Sequence, residues 1–512
     1  MTAGMVYLVG ADPDDPELVA VKAQRLLASC DAVVYDEPVP HELITALPES
    51  AEKHYVGEAK AGVRRSESVG ELLAHLARAG KTVVRLHGSD PLCLARAMDE
   101  AAFLHRRGIL WEIVPGSAST WAASACAGMD STDTGRVSAV ILIAGHGTTE
   151  ERCADIDWDW VAQAPRATIV LSAEPQDTAW IADRLIGGGM APDTPASAGP
   201  LPDPSPRLIT GTLADIADAV RRNRVTAPLG LHLGACAEPP SPRPEEDLRR
   251  PLRGLRILVT RAADQAAPMS RRLRELGARV LALPTIATRA HFDPAAWERF
   301  EACTAERRWL VFTSENGVRH FSQQHRDRGL DVRGLAAFRV AAVGSGTAEA
   351  LRALSLLPDF VPGQATGSDL AKELAAHTDL RGAAVVRVRG NLASATPDAA
   401  LAAAGAELIP MTVYETVHVV WPPGLKEMLA AAPPDAAIFT SGSGVDGLYA
   451  NLTGEEISRI IAPGLVVSIG PSTSEAARAR GLTVGLEAAR HAIPDLIDEL
   501  TEFVQTHPIR RT

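Results

Sequence analysis

Short apolar runs recur along the whole chain, each closed by glycine, proline or a small polar residue, and amphipathic stretches separate most of them. In the first half the runs are VYLVG, DAVVYD, TVVRLHG, WEIVPG, SAVILIAGHG and ATIVLSA. In the second half ILVT, VLALPTI, WLVFTS and VAAVG follow the same habit. Runs of this length bounded by turn residues predict buried strands, and the helical patterns between them predict α/β units with parallel sheets. The periodicity stops at CAEPPSPRPEEDLRRPLRG, where proline and charge take over. That stretch reads as an interdomain linker. It divides the chain into an N-terminal domain over 1–235, a linker over 236–254 and a C-terminal domain over 255–512.

The second half repeats itself. LRGLRILVTR returns as LRGAAVVRVRG, WLVFTSENGV as AAIFTSGSGV, VAAVGSGTAEALRA as VVSIGPSTSEAARA, and SDLAKEL as PDLIDEL. The offset stays near 127 residues, the separation of Phe312 and Phe439. Each copy alternates strands with helices, so two homologous α/β lobes facing each other across a cleft are expected. Ligands of such sheets bind beyond the carboxyl ends of the strands. The FTS and VGS/IGP turns fall at those ends.

Composition narrows the class. A chain of 512 residues exceeds one ordinary core, and 46% apolar with 22% charged residues is ordinary for a globular protein. The net charge of -12 argues against a general nucleic-acid binder, whose affinity comes from neutralised phosphates. The six cysteines are far apart and form no CxxC pair, so reduced, packed thiols are expected. The histidines show no ligand-like pairing, and no metal site is expected. No apolar run reaches the roughly 20 residues that span a bilayer, and the N-terminus lacks a signal pattern. A cytoplasmic location without membrane partners is the expectation.

Two glycine motifs fail on spacing. GKT at Gly80–Thr82 has His75 where a phosphate loop needs glycine, and GSG at Gly344–Gly346 is too short for a dinucleotide fingerprint. VRLHGSDPLCLARAMDEA carries more chemistry. Its strand runs into Gly88-Ser89-Asp90-Pro91, and the following helix places Arg96 and Asp99 at i, i+3. Such a loop offers backbone amides and one carboxylate to an amino-acid-like ligand, and Arg96 has the fork to grip a substrate carboxylate. A surface ion pair is the alternative reading of that spacing.

VYLVGADPDDPELVAVKA, DAVVYDEPV, VVRLHGSDPLCLARAMDEA, EIVPGSASTWAASACAGMDST, AGHG and LITGTLADI stand in the order found in uroporphyrinogen-III C-methyltransferases. The N-terminal half therefore resembles the tetrapyrrole methylase family. The resemblance implies two α/β lobes with S-adenosyl-L-methionine between them, and methylation of uroporphyrinogen III to precorrin-2. It implies cofactor binding by Gly10, Pro13, Gly88, Ser89, Asp90, Cys93, Ala118, Ser119 and Ser172. It implies catalytic roles for Asp36, as proton acceptor, and for Arg96 and Asp99. A homodimer through this domain belongs to the same expectation. The chain departs from the family pattern in the opening loop, where Asp12 and Asp14 replace glycines and bring negative charge. It departs again at Glu37 for arginine, Glu58 for the lysine proton donor, and Ser172 for a cofactor-touching methionine. Glutamate beside an octacarboxylate substrate repels it, by up to about 4 kcal/mol at ~4 Å and an effective dielectric of ~20. A working methylase and a non-catalytic binding or structural module are the two readings of this half.

The C-terminal half resembles uroporphyrinogen-III synthase. The residues that carry the likeness are Phe312-Thr313-Ser314, Val343-Gly344, Ile469-Gly470-Pro471 and Val413-Tyr414-Glu415-Thr416. The resemblance implies cyclisation of hydroxymethylbilane with inversion of ring D through a spiro intermediate, without a cofactor. Tyr414 matches the tyrosine thought to help hydroxide leave. Arg261, Thr313, Ser314, Ser345, Thr440, Ser441, Gly470 and Ser472 are the residues expected to hold the substrate's propionate and acetate arms. The fold expected of the whole is a two-lobed methylase-like α/β domain followed by a duplicated two-lobed α/β synthase domain. The product of the second is the substrate of the first, and fusion keeps the intermediate near its next site.

Overall fold

The computed structural model describes residues 4–507 apart from 12–14, 37–38, 49, 58–64, 89, 92–95, 117–128, 130–131, 134, 144–155, 202–207, 226–228, 238–249, 365 and 423. Twenty strands among the described residues form four five-stranded sheets.

The first sheet holds β1 (Met5–Gly10), β2 (Ala32–Tyr35), β3 (Glu52–Tyr55), β4 (Thr82–His87) and β5 (Leu110–Val114) in the order β3-β2-β4-β1-β5. Every pairing is parallel. Both faces are covered, by one cluster around Val9, Val33, Leu86 and Leu43 and another around Leu8, Val34, Leu73 and Leu104. That double burial explains why these strands read as unbroken apolar runs rather than as alternation. The second sheet holds β6 (Ala139–Ile143), β7 (Ala167–Ala173), β8 (Pro195–Pro200), β9 (Ile209–Thr212) and β10 (Leu229–Leu233) in the order β6-β7-β10-β8-β9. Only the β6–β7 pair is parallel; the others are antiparallel.

The second half contributes β11 (Arg256–Val259), β12 (Arg279–Ala282), β13 (Ile286–Ala290), β14 (Arg308–Phe312) and β15 (Arg339–Ala342) from the first copy of the repeat. The second copy adds β16 (Ala384–Gly390), β17 (Glu407–His418), β18 (Ala436–Phe439), β19 (Leu465–Ser468) and β20 (Val484–Glu487). The sheets run β12-β11-β18-β19-β20 and β13-β17-β16-β14-β15. Neither lobe is one copy. β11 pairs with β18 of the other copy, and β14 pairs with β16. The expectation of one lobe per copy is corrected here: the copies exchange their leading strands.

The exchange runs through VLALPTI, which reads as one strand and serves two. Its first part is β12 in one lobe; its last part begins β13 in the other. The equivalent stretch of the second copy is the twelve-residue β17, whose end from Tyr414 to His418 pairs antiparallel with β13. Two antiparallel crossings thus join the lobes. Thr285, at the first crossing, donates to the Gly444 carbonyl (2.8 Å), and its own carbonyl would stand 2.3 Å from a Cβ at Gly447. Any side chain there would push the crossing off the helix Gly442–Asn451.

Candidate functional site

In the first sheet the chemistry starts from a misfit. Arg85 occupies the middle of β4, a central strand, and is 1% exposed. A buried guanidinium needs carboxylates and acceptors around it, and it has them. Nη2 donates to Asp36 Oδ2 (2.9 Å), Nη1 to Asp36 Oδ1 (3.2 Å) and to the Leu86 carbonyl (3.0 Å), and Nε to both Glu100 oxygens (3.2 Å each). His87 Nε2 lies 3.4 Å from Glu100. Burial works against the Glu100 charge, yet the bond to His87 and the charge of Arg85 together hold its carboxyl below the ordinary range. Asp36, the expected proton acceptor, is therefore an ion-paired residue at the carboxyl end of β2.

The helix Arg96–Arg106 shows why Glu100 was missed and Asp99 chosen. Ala97, Glu100, Ala101 and Leu104 form its buried stripe, whereas Asp99 faces solvent. Spacing from Arg96 picked the carboxylate one position too early to reach the core. The Arg96 side chain lies outside the described residues.

The loops after β1, β4 and β5 converge. Gly10 and Gly116 meet backbone to backbone, and a Cβ on Gly10 would stand 2.7 Å from Gly116. Asp90 accepts from the Gly116 N–H (2.9 Å), and the Ala11 N–H donates to the His87 carbonyl (2.7 Å). Gly88 and Asp90 are half-buried beside them. Ser172 sits on β7 of the second sheet, half-buried and opposite Gly230. Pro13, Ser89, Cys93, Ala118, Ser119 and Glu58 fall outside the described residues.

The synthase-like half is built on one all-parallel sheet and one that carries the antiparallel β13–β17 pair. Helices begin directly after β11, β14, β15, β18 and β19, so their N-terminal N–H groups and dipoles gather at the carboxyl ends of the strands. The two FTS turns have one geometry. Ser314 (φ −165°, ψ 157°) and Ser441 (φ −162°, ψ 155°) each cap the following helix, accepting from Gly317 N (3.0 Å) and Gly444 N (3.1 Å). Gly344 and Gly470 are the extended N-caps of the next helix in each copy, leaving Ser345 and Ser472 exposed in the first turns. Thr313 donates to the Val388 carbonyl (3.3 Å), and Thr440 is half-buried beside Ser441.

Tyr414 is where the copies differ. Its hydroxyl lies 3.1 Å from Ser314 Oγ, its ring stacks on His320 (centroids 5.4 Å, 19° between planes), and its other neighbour is Gly390, where a Cβ would stand 2.5 Å from the ring. His320 lies 3.0 Å from Thr288 Oγ1. Burial, and after it the charge of Arg319, push the His320 imidazole down to about 4, so it is neutral at neutral pH. Across the opening Arg261, following β11, reaches Glu315 in the other lobe (3.4 Å), and Gln265 donates to Asn316 (2.5 Å). Burial lowers the Arg261 pKa and the Glu315 charge partly offsets that.

Residues 5–199 match the family model for tetrapyrrole (corrin/porphyrin) methylases, and residues 267–498 match that for uroporphyrinogen-III synthase HemD. The S-adenosyl-L-methionine-dependent uroporphyrinogen III methyltransferase of Methanosarcina barkeri is 37% identical over 229 residues, 44% of this chain and 89% of that protein. The first half belongs to the methylase family, and the second half carries a domain that matches uroporphyrinogen-III synthase. The porphyrin biosynthesis protein HemD of Ruminiclostridium josui is 29% identical over 508 residues, 98% of this chain and 99% of the relative. The siroheme synthase of Chromobacterium violaceum is 34% identical over 238 residues, and the chain spans 50% of that protein's length. A uroporphyrinogen-III synthase enzyme carrying a methylase-family half is what these likenesses support.

Within the methylase half, reading along the chain missed Arg85, His87 and Glu100; the one available signal was a charged residue inside the apolar run TVVRLHG. Within the synthase half it missed His320, Gly390 and Glu315, for which no local pattern exists. Among the described residues no group of His, Cys, Asp and Glu is arranged to hold a metal ion, and no helix is long and apolar enough to cross a membrane.

Proposed function

We propose that the chain is bifunctional: its C-terminal half closes hydroxymethylbilane to uroporphyrinogen III with inversion of ring D, and its N-terminal half methylates that product towards precorrin-2. The observation that carries the synthase assignment is the Ser314–Tyr414 hydroxyl pair at 3.1 Å, set among helix N-termini at the mouth of the two lobes. Ser314 Oγ already accepts from Gly317 N, so its own proton is free to be donated to the Tyr414 oxygen. That leaves the phenol proton directed outwards, towards the hydroxyl that must leave as water. The same donation stabilises the phenolate once the proton has gone. Arg261 and the hydroxyls of Thr440, Ser345 and Ser472 hold carboxylate arms, Ser472 from the helix that Gly470 caps, while Thr313 keeps its hydroxyl proton on the Val388 carbonyl. Orientation is the main task, because the terminal ring must be presented in its inverted sense before ordinary closure occurs.

The methylase-side loops fit a cofactor of the S-adenosyl-L-methionine kind. Backbone approaches at Gly10 and Gly116 are closer than any side chain permits, and the half-buried Asp90 orders the Gly116 loop. Gly10, Gly88, Asp90 and Ser172 would hold the cofactor from this side, and when bound it supplies an electrophilic methyl group. Arg85 holds Asp36 by both oxygens and fixes its direction, as positioning of a proton acceptor requires. The same clamp favours a second reading. A carboxylate held by both oxygens is a weak base, and a half that binds tetrapyrrole without turning it over matches Asp36 equally well. Supplying hydroxymethylbilane and S-adenosyl-L-methionine together, and reading isomer and mass of the product, decides. Methylated isomer III establishes both activities; unmethylated isomer III leaves the synthase alone; isomer I only overturns the whole reading.

A further inference from the structure

Among the described residues, three contacts between the two halves fall on one side of the first sheet. Glu17 follows β1, Glu42 follows β2 on the helix His41–Thr45, and Tyr55 ends β3. In a parallel sheet these positions all lie at the carboxyl edge, where ligands bind. Each meets the synthase half. Arg271 donates to Glu17 (2.7 Å), Arg274 donates to Glu42 (2.5 Å), and Gly424 packs so near the Tyr55 hydroxyl that a Cβ there would stand 3.0 Å from it. The helix His41–Thr45 also packs against β12. Glu17–Arg271 is an exposed pair, but the Arg274 and Glu42 side chains keep only 10% and 18% of their surface.

Both arginines belong to the helix Ala263–Glu275. Its first turn carries Gln265, and Arg261 stands just before it; these two make the cross-cleft contacts with Asn316 and Glu315. Its last two turns carry Arg271 and Arg274. A helix of 13 residues is about 20 Å long. One element therefore runs from the synthase cleft to the ligand edge of the methylase sheet, with cleft contacts at one end and docking contacts at the other.

We propose that this helix docks the synthase half on the ligand edge of the methylase half, so that the cyclised tetrapyrrole is handed over locally rather than released to solvent. The hand-over rests on the bifunctional reading above; the docking does not. An octacarboxylate leaving the cleft has the ligand edge of the methylase half one helix length away, about 20 Å, and that short path raises its effective concentration there.

The test uses the full chain and two readouts. In wild type, amide hydrogen exchange at 41–45 and 263–275 is slow; Glu42→Arg speeds it at both by about tenfold, the loss expected of a partly buried ion pair. The double exchange Glu42→Arg with Arg274→Glu restores protection, which separates docking from misfolding. Fast exchange at 41–45 in wild type, or no change in Glu42→Arg, overturns the docking whatever the enzyme does. The second readout supplies labelled hydroxymethylbilane with a tenfold excess of unlabelled uroporphyrinogen III. Hand-over gives methylated product richer in label than the pool in wild type, and equal to the pool in Glu42→Arg. Label equal to the pool in wild type overturns hand-over. Absence of methylation from either supply identifies failure of the bifunctional reading instead, and exchange still decides the docking.

Discussion

In the methylase sheet a guanidinium is sealed between two carboxylates, with Arg85 1% exposed and every strong donor taken. In the synthase cleft the charges near the paired hydroxyls are Arg319, beside His320 and Tyr414, and the Arg261–Glu315 pair (3.4 Å), set among hydroxyls, backbone N–H groups and a neutral imidazole. On the proposed function both regions meet substrates rich in carboxylate. One commits its charge to its own structure and the other keeps uncharged donors free. A sealed ion pair shapes a site by holding elements in place, since Arg85 ties β2, β4 and the helix Arg96–Arg106 together. An open set of donors can instead follow a substrate whose arms move during ring inversion.

The sharpest break in that comparison is Arg85→Met. It takes the buried guanidinium away from Asp36 and Glu100 and is expected to cost about 3–5 kcal/mol of stability, read by denaturant unfolding. The triple change that also makes Asp36→Asn and Glu100→Gln recovers most of it; if Arg85→Met alone costs under about 1 kcal/mol, the network is not structural.

Tyr414→Phe tests the opposite behaviour. Isomer III formation should fall by about a hundredfold or more, while stability moves by less than about 1 kcal/mol. Retained activity would move the proton donor elsewhere.

A smaller effect follows from His320. Its folded pKa of about 4 lies below the unfolded value near 6.5, so between those two pH values the unfolded chain binds the extra proton and stability rises with pH. Acidifying from 6.5 to 4 should therefore remove stability, about 2 kcal/mol for this half-buried ring after solvent screening. His41, also pushed down to about 4 by burial, adds in the same direction. His320→Gln should flatten the dependence, and an unchanged slope would remove the ring from it.

The smallest comparison is between the two caps. Ser314→Ala and Ser441→Ala should each cost about 1 kcal/mol as lost N-caps. Only Ser314→Ala should also slow the synthase, because only Ser314 touches the phenol of Tyr414. Equal kinetic loss in both would reassign the effect to helix capping.

Most of the fold was legible along the chain. VYLVG, TVVRLHG and WLVFTS announce buried parallel strands because both faces of their sheets are covered, and glycine, proline or serine marks where each ends. The FTS turns were legible as site elements for the same local reason, a strand end followed at once by a helix cap. Tyr414 was legible by resemblance alone. Glu100 was not, because Asp99 is nearer the expected spacing and only the stripe of Ala97, Ala101 and Leu104 shows which carboxylate faces inward.

Element types, their order, the duplication and the two family likenesses were determined by the sequence itself, since each rests on local periodicity, turn chemistry or motif order. Which copy supplies which strand was decided only in three dimensions. Two homologous copies offer similar apolar strand edges, and local preference cannot distinguish β11 beside β14 from β11 beside β18. The antiparallel crossing of β13 and β17 decides it by carrying both chains between lobes at the same point. The tertiary structure likewise brings Asp36, Arg85 and Glu100 together from three elements, because a buried charge accepts only an arrangement that satisfies all its partners at once.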